Sequence, residues 1–423
     1  MHIGFYLPTK HLQGWDWAKA LGGLLPLSGT DGSVLRIADY LATRNHVTVD
    51  VLVTQTGSSE DATSAHQVSV PSFKEAVYYA EANDLDALVF PHPTQRERFP
   101  DVRAGLEEAD TCGVPCLTWL HNTPPLAMST AYASHGAVKR ALCVSNPQAD
   151  LLRDRAVFNK VAVVHNPIDT RFFAKADTSC QTNNLSQYIR KTVCYAGALT
   201  KAKGFHHVAR AWPTVRNAVP KAELSILGSA RLYDRTASLG PLQIGKPEYE
   251  QEHLIPYLGP NREAAKNRGV TLYGLLAPHQ LRIHMQQALV GVVNPSFTTP
   301  ETFCVTAAEF QAAGTAVVGG RMAGLRETVA DGHTGRLIRS PDDLAEVLIA
   351  LLKSPQTTRA MGRRGQIYVR DHFDTPHVAE RFRQILESVV RNEPPSPPSF
   401  QWKYATPRNT LREGIRQLGL RWR

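Results

Sequence analysis

Two hydrophobic periods alternate along this chain. Short unbroken apolar runs recur, and the segments between them carry apolar residues every three or four positions. The runs His2–Leu7, Val47–Thr54, Ala87–Phe90, Val114–Leu120, Ala141–Ser145 and Val161–Val164 read as buried strands. After the first, a long loop holds Trp15, Trp17, Gly22, Gly23 and a Gly29–Ser33 turn. A helix then starts near Ser33, with Val34, Ile37, Ala38 and Leu41 on one face. A polar, Asn/Gln/Ser-rich segment from Asp177 to Arg190 reads as a linker. A second series follows, with strands at Thr192–Ala196, Leu224–Leu227, Val270–Tyr273, Leu289–Val293, Thr315–Val318 and Arg336–Ile338. Strand and helix alternate in both series, which predicts an α/β chain of two Rossmann-like domains, each with a parallel sheet.

The expected boundaries are 1–176 for the N-terminal domain and 190–375 for the C-terminal one. Residues 376–398 are expected to form a helix returning toward the first domain and a Pro-rich break, and 399–423 a basic amphipathic tail. Arg231 to Arg268 is a long connection containing Pro241, Pro247, Pro256 and Pro260. Such length implies local folding or a lid. In the tail, Leu411, Ile415, Leu418 and Trp422 recur at helical spacing, flanked by Arg412, Arg416, Arg421 and Arg423. Docking of this stripe on the protein is the first expectation, and contact with an anionic membrane surface the second.

Asn294–Val318 carries the densest chemistry. It leaves an apolar strand, turns through Pro295 and Pro300, and enters an expected helix Thr302–Ala313 that stops at Gly314. On that helix Glu301 and Glu309 would lie about 12 Å apart, too far to share a proton. Free N–H groups of Phe303, Cys304 and Val305 between them suit an anionic phosphate. One carboxylate would accept sugar hydroxyls and the other ribose hydroxyls. An ordinary capped helix with two solvated glutamates has the same pattern. Lys203, before Gly204 and another helix, sits in a matching loop after a strand and can project toward a pyrophosphate. His121 ends the Val114–Leu120 strand, at the sheet edge where open parallel sheets bind ligands. The glycine turn around Gly32 admits a phosphate or sugar close to the backbone; a flexible surface loop is the equal alternative. GxGxxG is missing there, so a dinucleotide cofactor is not supported.

Composition narrows the classes. Hydrophobic content of 43% and charged content of 20% are those of a globular protein. The formal charge of +9 and pI ≈ 9.3 call for an anionic partner: a nucleotide, a membrane surface or nucleic acid. No zinc-finger or RNA-binding motif is found, so nucleic acid is not expected. The six cysteines, Cys112, Cys116, Cys143, Cys180, Cys194 and Cys304, lack zinc-site spacing, so no metal is expected. No run approaches the roughly 20 apolar residues of a membrane span, and the start lacks a basic region followed by a long apolar one. A cytoplasmic protein, peripheral to the membrane if its tail makes that contact, is expected. Trp15 and Trp17 either anchor their loop or stack an acceptor sugar.

Together these residues resemble the retaining glycosyltransferases of family 4, also called group 1. Glu301, Phe303 and Glu309 are similar to that family's Glu-x7-Glu motif. Gly314–Val318 is similar to its Gly-Thr-Pro-Val-Val strand, and Gly324–Val329 and Asp331–Leu337 to the segments after it. His165–Asp169 with Phe172 is similar to the signature closing its first domain. The chain departs from the family pattern at Ala198, where members carry Arg, at Cys304 in place of Gly, and at Ala316 in place of Pro.

The resemblance implies a GT-B fold, with the two sheets facing across a cleft, an N-terminal acceptor domain and a C-terminal donor domain. It implies a nucleotide-diphosphate sugar as co-substrate, no metal or other cofactor, and transfer to a saccharide or lipid-linked glycoconjugate in polysaccharide biosynthesis. Glu301 would hold donor sugar hydroxyls and Glu309 the ribose, and Lys203 with the backbone of Phe303, Cys304, Val305 and Thr306 would stabilise the diphosphate. His121 would face the sugar, and Gly32 the phosphates. Tyr273 would lie near the base, and Ala198 would line the diphosphate site where the family has Arg. A sugar phosphorylase or synthase on the same fold, and a non-catalytic sugar-nucleotide-binding protein, are the alternatives.

Overall fold

The computed structural model describes residues 1–9, 16–44, 46–56, 64–175, 191–232 and 234–418. They form two units, Met1–Pro167 with Thr375–Arg423, and Ile168–Asp374. The first is built on seven parallel strands: β1 (His2–Leu7), β2 (Thr48–Val53), β3 (His66–Ser69), β4 (Ala87–Pro91), β5 (Cys116–Leu120), β6 (Val138–Cys143) and β7 (Val161–Val163). Their order in the sheet is β3-β2-β1-β4-β5-β6-β7. β1 runs beside β2 in unbroken register from His2 opposite Thr48 to Leu7 opposite Val53.

The second unit has six parallel strands: β8 (Thr192–Ala196), β9 (Glu223–Leu227), β10 (Val270–Gly274), β11 (Val290–Val293), β12 (Ala316–Gly320) and β13 (Gly335–Ile338). Their order is β10-β9-β8-β11-β12-β13. This is the doubly wound α/β architecture the apolar runs predict. Central strands covered by helices on both faces must be apolar throughout, and β11 (Val-Gly-Val-Val) is buried at every position.

Two expectations need correction, and two open alternatives are decided. β3 has the sequence His-Gln-Val-Ser with no apolar run; it is an edge strand with half-buried or exposed side chains, so burial never shaped it. The Gly29–Ser33 turn is the first turn of a helix, Gly29–Ala42, started by the Ser28 side chain accepting the Asp31 N–H. The loop before it holds a short helix, Trp17–Leu21, whose Trp17 is fully buried. Trp17 therefore anchors its segment and is not available to stack a sugar; Trp15 lies outside the described residues. The connection from Arg231 to Arg268 folds locally into helices Pro247–His253, Ile255–Leu258 and Arg262–Asn267. It sends Leu242, Ile244, Leu254 and Leu258 into the core of the second unit, and Glu250 caps buried N–H groups of Leu242, Ile244 and Gly245. A segment so embedded is core and not a lid.

The helix Thr375–Val390 belongs to the first unit, where Phe382 packs 5.8 Å from the Phe5 ring and 4.9 Å from Trp119. The final helix, Pro407–Gln417, also packs there, but the expected stripe is reversed. Asn409 and Glu413 are buried, while Leu411 and Leu418 are 65% and 75% exposed. The helix docks through Glu413 on Arg153 at 3.0 Å and through Arg412 on Asp154 at 3.3 Å. Among the described residues no helix is long and apolar enough to cross a membrane.

Candidate functional site

In an open parallel sheet the ligand crevice lies outside the carboxyl ends of the strands, where the strand order reverses. In the second unit that point falls between β8 and β11, neighbours in the sheet but far apart in sequence. The two loops singled out in the sequence leave these two strands. They touch: a Cβ on Gly204 would lie 2.8 Å from the Ser296 nitrogen, and Gly204 has a left-handed φ of 72°. Glycine meets both demands at once. The helix Phe205–Ala218 follows it directly.

This closeness brings Lys203 and Glu301 together. The Lys203 Nζ lies 2.6 Å from the Glu301 Oε1, and the Asn294 Nδ2 donates to the same oxygen at 2.8 Å. Both charged side chains are only partly exposed. Asn294 was not singled out by the sequence reading. Its signal was there: it is the first polar residue after an apolar strand at the switch point. Tyr195 supports the second loop, its hydroxyl donating to the Lys203 carbonyl at 3.0 Å.

The helix expected from Thr302 begins three residues later, at Val305, and ends at Ala312. Its cap, Cys304, has φ 78°, the conformation glycine favours. Phe303 is buried edge-on against Phe373 at 5.0 Å, and its carbonyl accepts from Thr328. The Ala307 and Ala308 N–H groups bond the Cys304 carbonyl. The Val305 and Thr306 N–H groups open that turn, where helix donors have no partner within the helix. Glu309 sits half-buried one turn on. Only the stretch from Val305 to Glu309, about 6 Å of rise, is helical, so the 12 Å separation from Glu301 does not follow.

Burial, with the Glu301 charge adding, pushes the Cys304 thiol well above its usual range, so it stays neutral. Cys304 is a β-carbon placed where the backbone wants none. Cys304→Gly will leave the protein at least as stable as the wild type, whereas the β-branched Cys304→Val will cost about 1–2 kcal/mol in urea unfolding. Equal stability of all three would show that the site bears no backbone strain.

Ala198, in the β8 loop, is buried, and the nearby Lys201 is exposed. Tyr273 lies at the end of the edge strand β10, 41% exposed and with its ring 4.1 Å from His284. It shares the sheet edge with the β8 loop but stands two strands away.

The first unit has its own cluster. His121 follows β5 and stacks near Trp119, ring centres 4.6 Å apart. Burial pulls its pKa down to about 3, against the opposing Asp31 charge and a hydrogen bond with Asn166. Asp31 and Ser33 open the helix Gly29–Ala42, and the Ser33 hydroxyl reaches Asn166 at 3.3 Å. Gly32 lies between them. Its N–H already bonds the Ser28 carbonyl at 3.0 Å, so it offers no donor; its missing side chain leaves room for Arg36, which a Cβ would meet at 2.9 Å. His92 was missed. It follows β4 as His121 follows β5, bonds the Tyr132 hydroxyl at 2.7 Å, and burial holds its pKa at about 4.

These two histidines fix a pH dependence. Both are depressed below the ordinary value, so the folded chain keeps them neutral while the unfolded chain protonates them below about 6.5. Their contribution is whole above that pH and is lost as pH falls toward 4 and then 3. Each takes up one proton on unfolding, worth up to roughly 1.4 kcal/mol per pH unit inside the window. A falling Tm between pH 6.5 and 4, shallower in His92→Gln, is the expected result. An unchanged slope in the variant would contradict the assignment.

Comparison with known proteins adds the following. Residues 183–367 match the family model described as glycosyl transferases group 1. Alpha-maltose-1-phosphate synthase of Mycobacterium tuberculosis is 27% identical over 328 residues, covering 74% of this chain and 77% of that protein. A D-inositol 3-phosphate glycosyltransferase of an Arthrobacter species is 30% identical over 178 residues, 42% of this chain and 38% of that one. Among solved structures, sucrose-phosphate synthase of Thermosynechococcus elongatus superposes with a TM-score of 0.69 at 16% identity, over 93% of this chain and all of that one. The Anabaena protein HepE, solved in complex with UDP-glucose, does so with a TM-score of 0.67 at 16% identity, over 92% of this chain and all of that one.

Proposed function

Because the match over residues 183–367 makes this chain a group 1 glycosyltransferase, with the two α/β units of the GT-B fold, we propose that it transfers a sugar with retention from a nucleotide-diphosphate sugar to a saccharide or lipid-linked glycoconjugate. The observation that carries the donor reading is the Lys203–Glu301–Asn294 cluster at the β8/β11 switch point, beside the amides of Val305 and Thr306.

The chemistry follows from those groups. Breaking the anomeric carbon–oxygen bond leaves negative charge on the departing diphosphate. Lys203 and the first-turn N–H dipoles are fixed where such charge is stabilised as it grows. Without donor, Lys203 and Glu301 neutralise each other. With donor, Lys203 turns to phosphate and Glu301 to sugar hydroxyls, while Asn294 keeps the carboxylate in place. Glu309 takes the ribose hydroxyls, and Tyr273 lies toward the base. A neutral His121 accepts a hydrogen bond from the sugar without adding positive charge near the anomeric centre. With a lysine and backbone dipoles as the positive groups, the reaction proceeds without a metal. An anionic membrane surface, reached through the C-terminal segment, is the partner that goes with a lipid-linked acceptor.

The test is release of nucleoside diphosphate from a panel of UDP-, GDP- and ADP-sugars in EDTA, followed by NMR of the product's anomeric configuration. Release from one donor with the configuration kept supports the proposal. An inverted product, or activity abolished by EDTA and restored by a divalent cation, contradicts the corresponding part. Saturable nucleotide binding without release, with every acceptor tried, leaves a sugar-nucleotide-binding protein. A second reading has a phosphorylated small acceptor. It is favoured by the relatives, one a synthase of alpha-maltose-1-phosphate and the other a glycosyltransferase named for D-inositol 3-phosphate. Adding hexose and inositol phosphates to the acceptor panel separates the two.

A further inference from the structure

The helix Pro407–Gln417 is amphipathic, and it is docked the unusual way round. At 3.6 residues per turn, Leu411, Ile415 and Leu418 share one side and Asn409 and Glu413 lie on the opposite one. The polar side is the one buried. Glu413 bonds Arg153 at 3.0 Å, and Arg153, itself buried, also bonds Asp150 at 2.6 Å and the carbonyls of Pro398 and Ser399 at 3.2 and 2.8 Å. Arg412 bonds Asp154 at 3.3 Å. The apolar side is left facing solvent, with Leu411 and Leu418 among the most exposed large hydrophobic residues described. Trp402, in the segment leading into the helix, is 72% exposed.

We propose that this outward apolar face is a docking surface for an anionic lipid bilayer, with the ion pairs beneath it holding the helix in place on the protein. Charge selects the occupant. Between Ser399 and Arg423 the sequence carries six basic residues and one acidic residue, Glu413, and that one is spent on Arg153 and Arg416. Arg408, exposed, lies within about 60° of Leu411 around the helix. A surface that is apolar at its centre and basic at its margin fits the boundary between headgroups and acyl chains of an anionic leaflet. A second copy of the chain would bring an equally basic segment against it, and like charges oppose that pairing. An ordinary amphipathic helix buries its apolar side on its own protein. This one has given that role to ion pairs, which leaves the apolar side for another phase.

The inference rests on the lipid-linked acceptor reading for its purpose, but binding is measured without donor or acceptor, so the two fail separately. The experiment is co-sedimentation of the full-length protein with phosphatidylcholine vesicles, with and without one-third phosphatidylglycerol, at low and high salt. The wild type is expected to bind the anionic vesicles and to be released by salt. The double variant Leu411→Ser, Leu418→Ser is expected to bind about ten-fold more weakly or worse, with unchanged thermal unfolding and unchanged diphosphate release in free solution. Failure of the wild type to bind anionic vesicles at low salt would overturn the proposal. So would equal binding by the double variant, or a dimer in light scattering that the double variant dissolves, which would give the face to a second copy.

Discussion

Lys203→Ala will lower the turnover of nucleoside diphosphate release by about 10²–10³-fold, the loss typical when one preorganised donor to a developing anion is removed. The lysine is the only side-chain cation bonded to Glu301 among the described contacts, at 2.6 Å. It is held by the Gly204 turn against the neighbouring loop, so no other group moves into its place when it is shortened. Two effects will appear together. The leaving diphosphate loses a fixed positive charge, which lowers kcat. Glu301 keeps only the Asn294 amide, at 2.8 Å, so its aim at the sugar loosens. Glu301→Gln separates them, because it keeps the size and a hydrogen-bond acceptor but drops the charge. It is expected to weaken donor use while leaving nucleoside diphosphate affinity near that of the wild type. Lys203→Ala is expected to weaken both. Turnover within three-fold of wild type in Lys203→Ala would reduce the lysine to a structural partner of Glu301.

The second large effect is on stability. Arg153→Ala will destabilise the first unit by about 3–5 kcal/mol, because it takes the arginine from the buried Asp150 carboxylate and one of two arginines from Glu413. Asp150 and Glu413 are both nearly inaccessible, and the Arg153 guanidinium also packs 4.8 Å from the Phe158 ring and 5.0 Å from Phe400. Asp150 will be the most sensitive partner, whereas Glu413 keeps Arg416 at 2.6 Å. Hydrogen bonds from Arg416 and Gln417, with the Arg153 charge, hold the Glu413 pKa down to about 2. Its contribution is present above pH 4.5 and disappears only as pH falls toward 2. Urea unfolding of Arg153→Ala beside Arg153→Ala with Asp150→Asn checks the argument. The double variant should recover part of the loss, since it removes the buried charge that lost its arginine. No recovery would place the cost in the lost ring packing instead.

What the sequence made legible follows from where burial is strongest. Strands β8, β11 and β12 lie inside a parallel sheet, so their apolar runs had no competing reading. β3 has one neighbour and little cover, and its residues carry no such mark. Glycine misled at Gly29 and Gly32, where a turn signal was outweighed by the Ser28 cap. Pro300 and Glu301 look like a helix start, yet Glu301 is drawn to Lys203 and Asn294, which keeps the chain non-helical until Cys304 has turned. That pull comes from a residue almost a hundred positions away, and local pattern cannot register it. The tail shows the same blindness. Its apolar stripe was plain, but the side that docks was decided by Arg153 and Asp154, remote in sequence.

The first unit is made from both ends of the chain, and Ile168–Asp374 is inserted between them. The Ile168 N–H bonds the Phe373 carbonyl at 2.8 Å, so the inserted unit leaves beside the place where it began. This sets a schedule for synthesis. When Pro167 emerges from the ribosome, all seven strands of the first sheet exist, yet Phe5 and Trp119 still lack Phe382. At about 5–20 residues per second the missing helix arrives roughly ten to forty seconds later. For that interval the nascent first unit carries an open apolar face, while the second unit, contiguous in the chain, is completed at Asp374, just before Phe382 appears. The half that is born first is therefore the last to be finished: it waits for the whole inserted unit to emerge and then for the last helices to seal it.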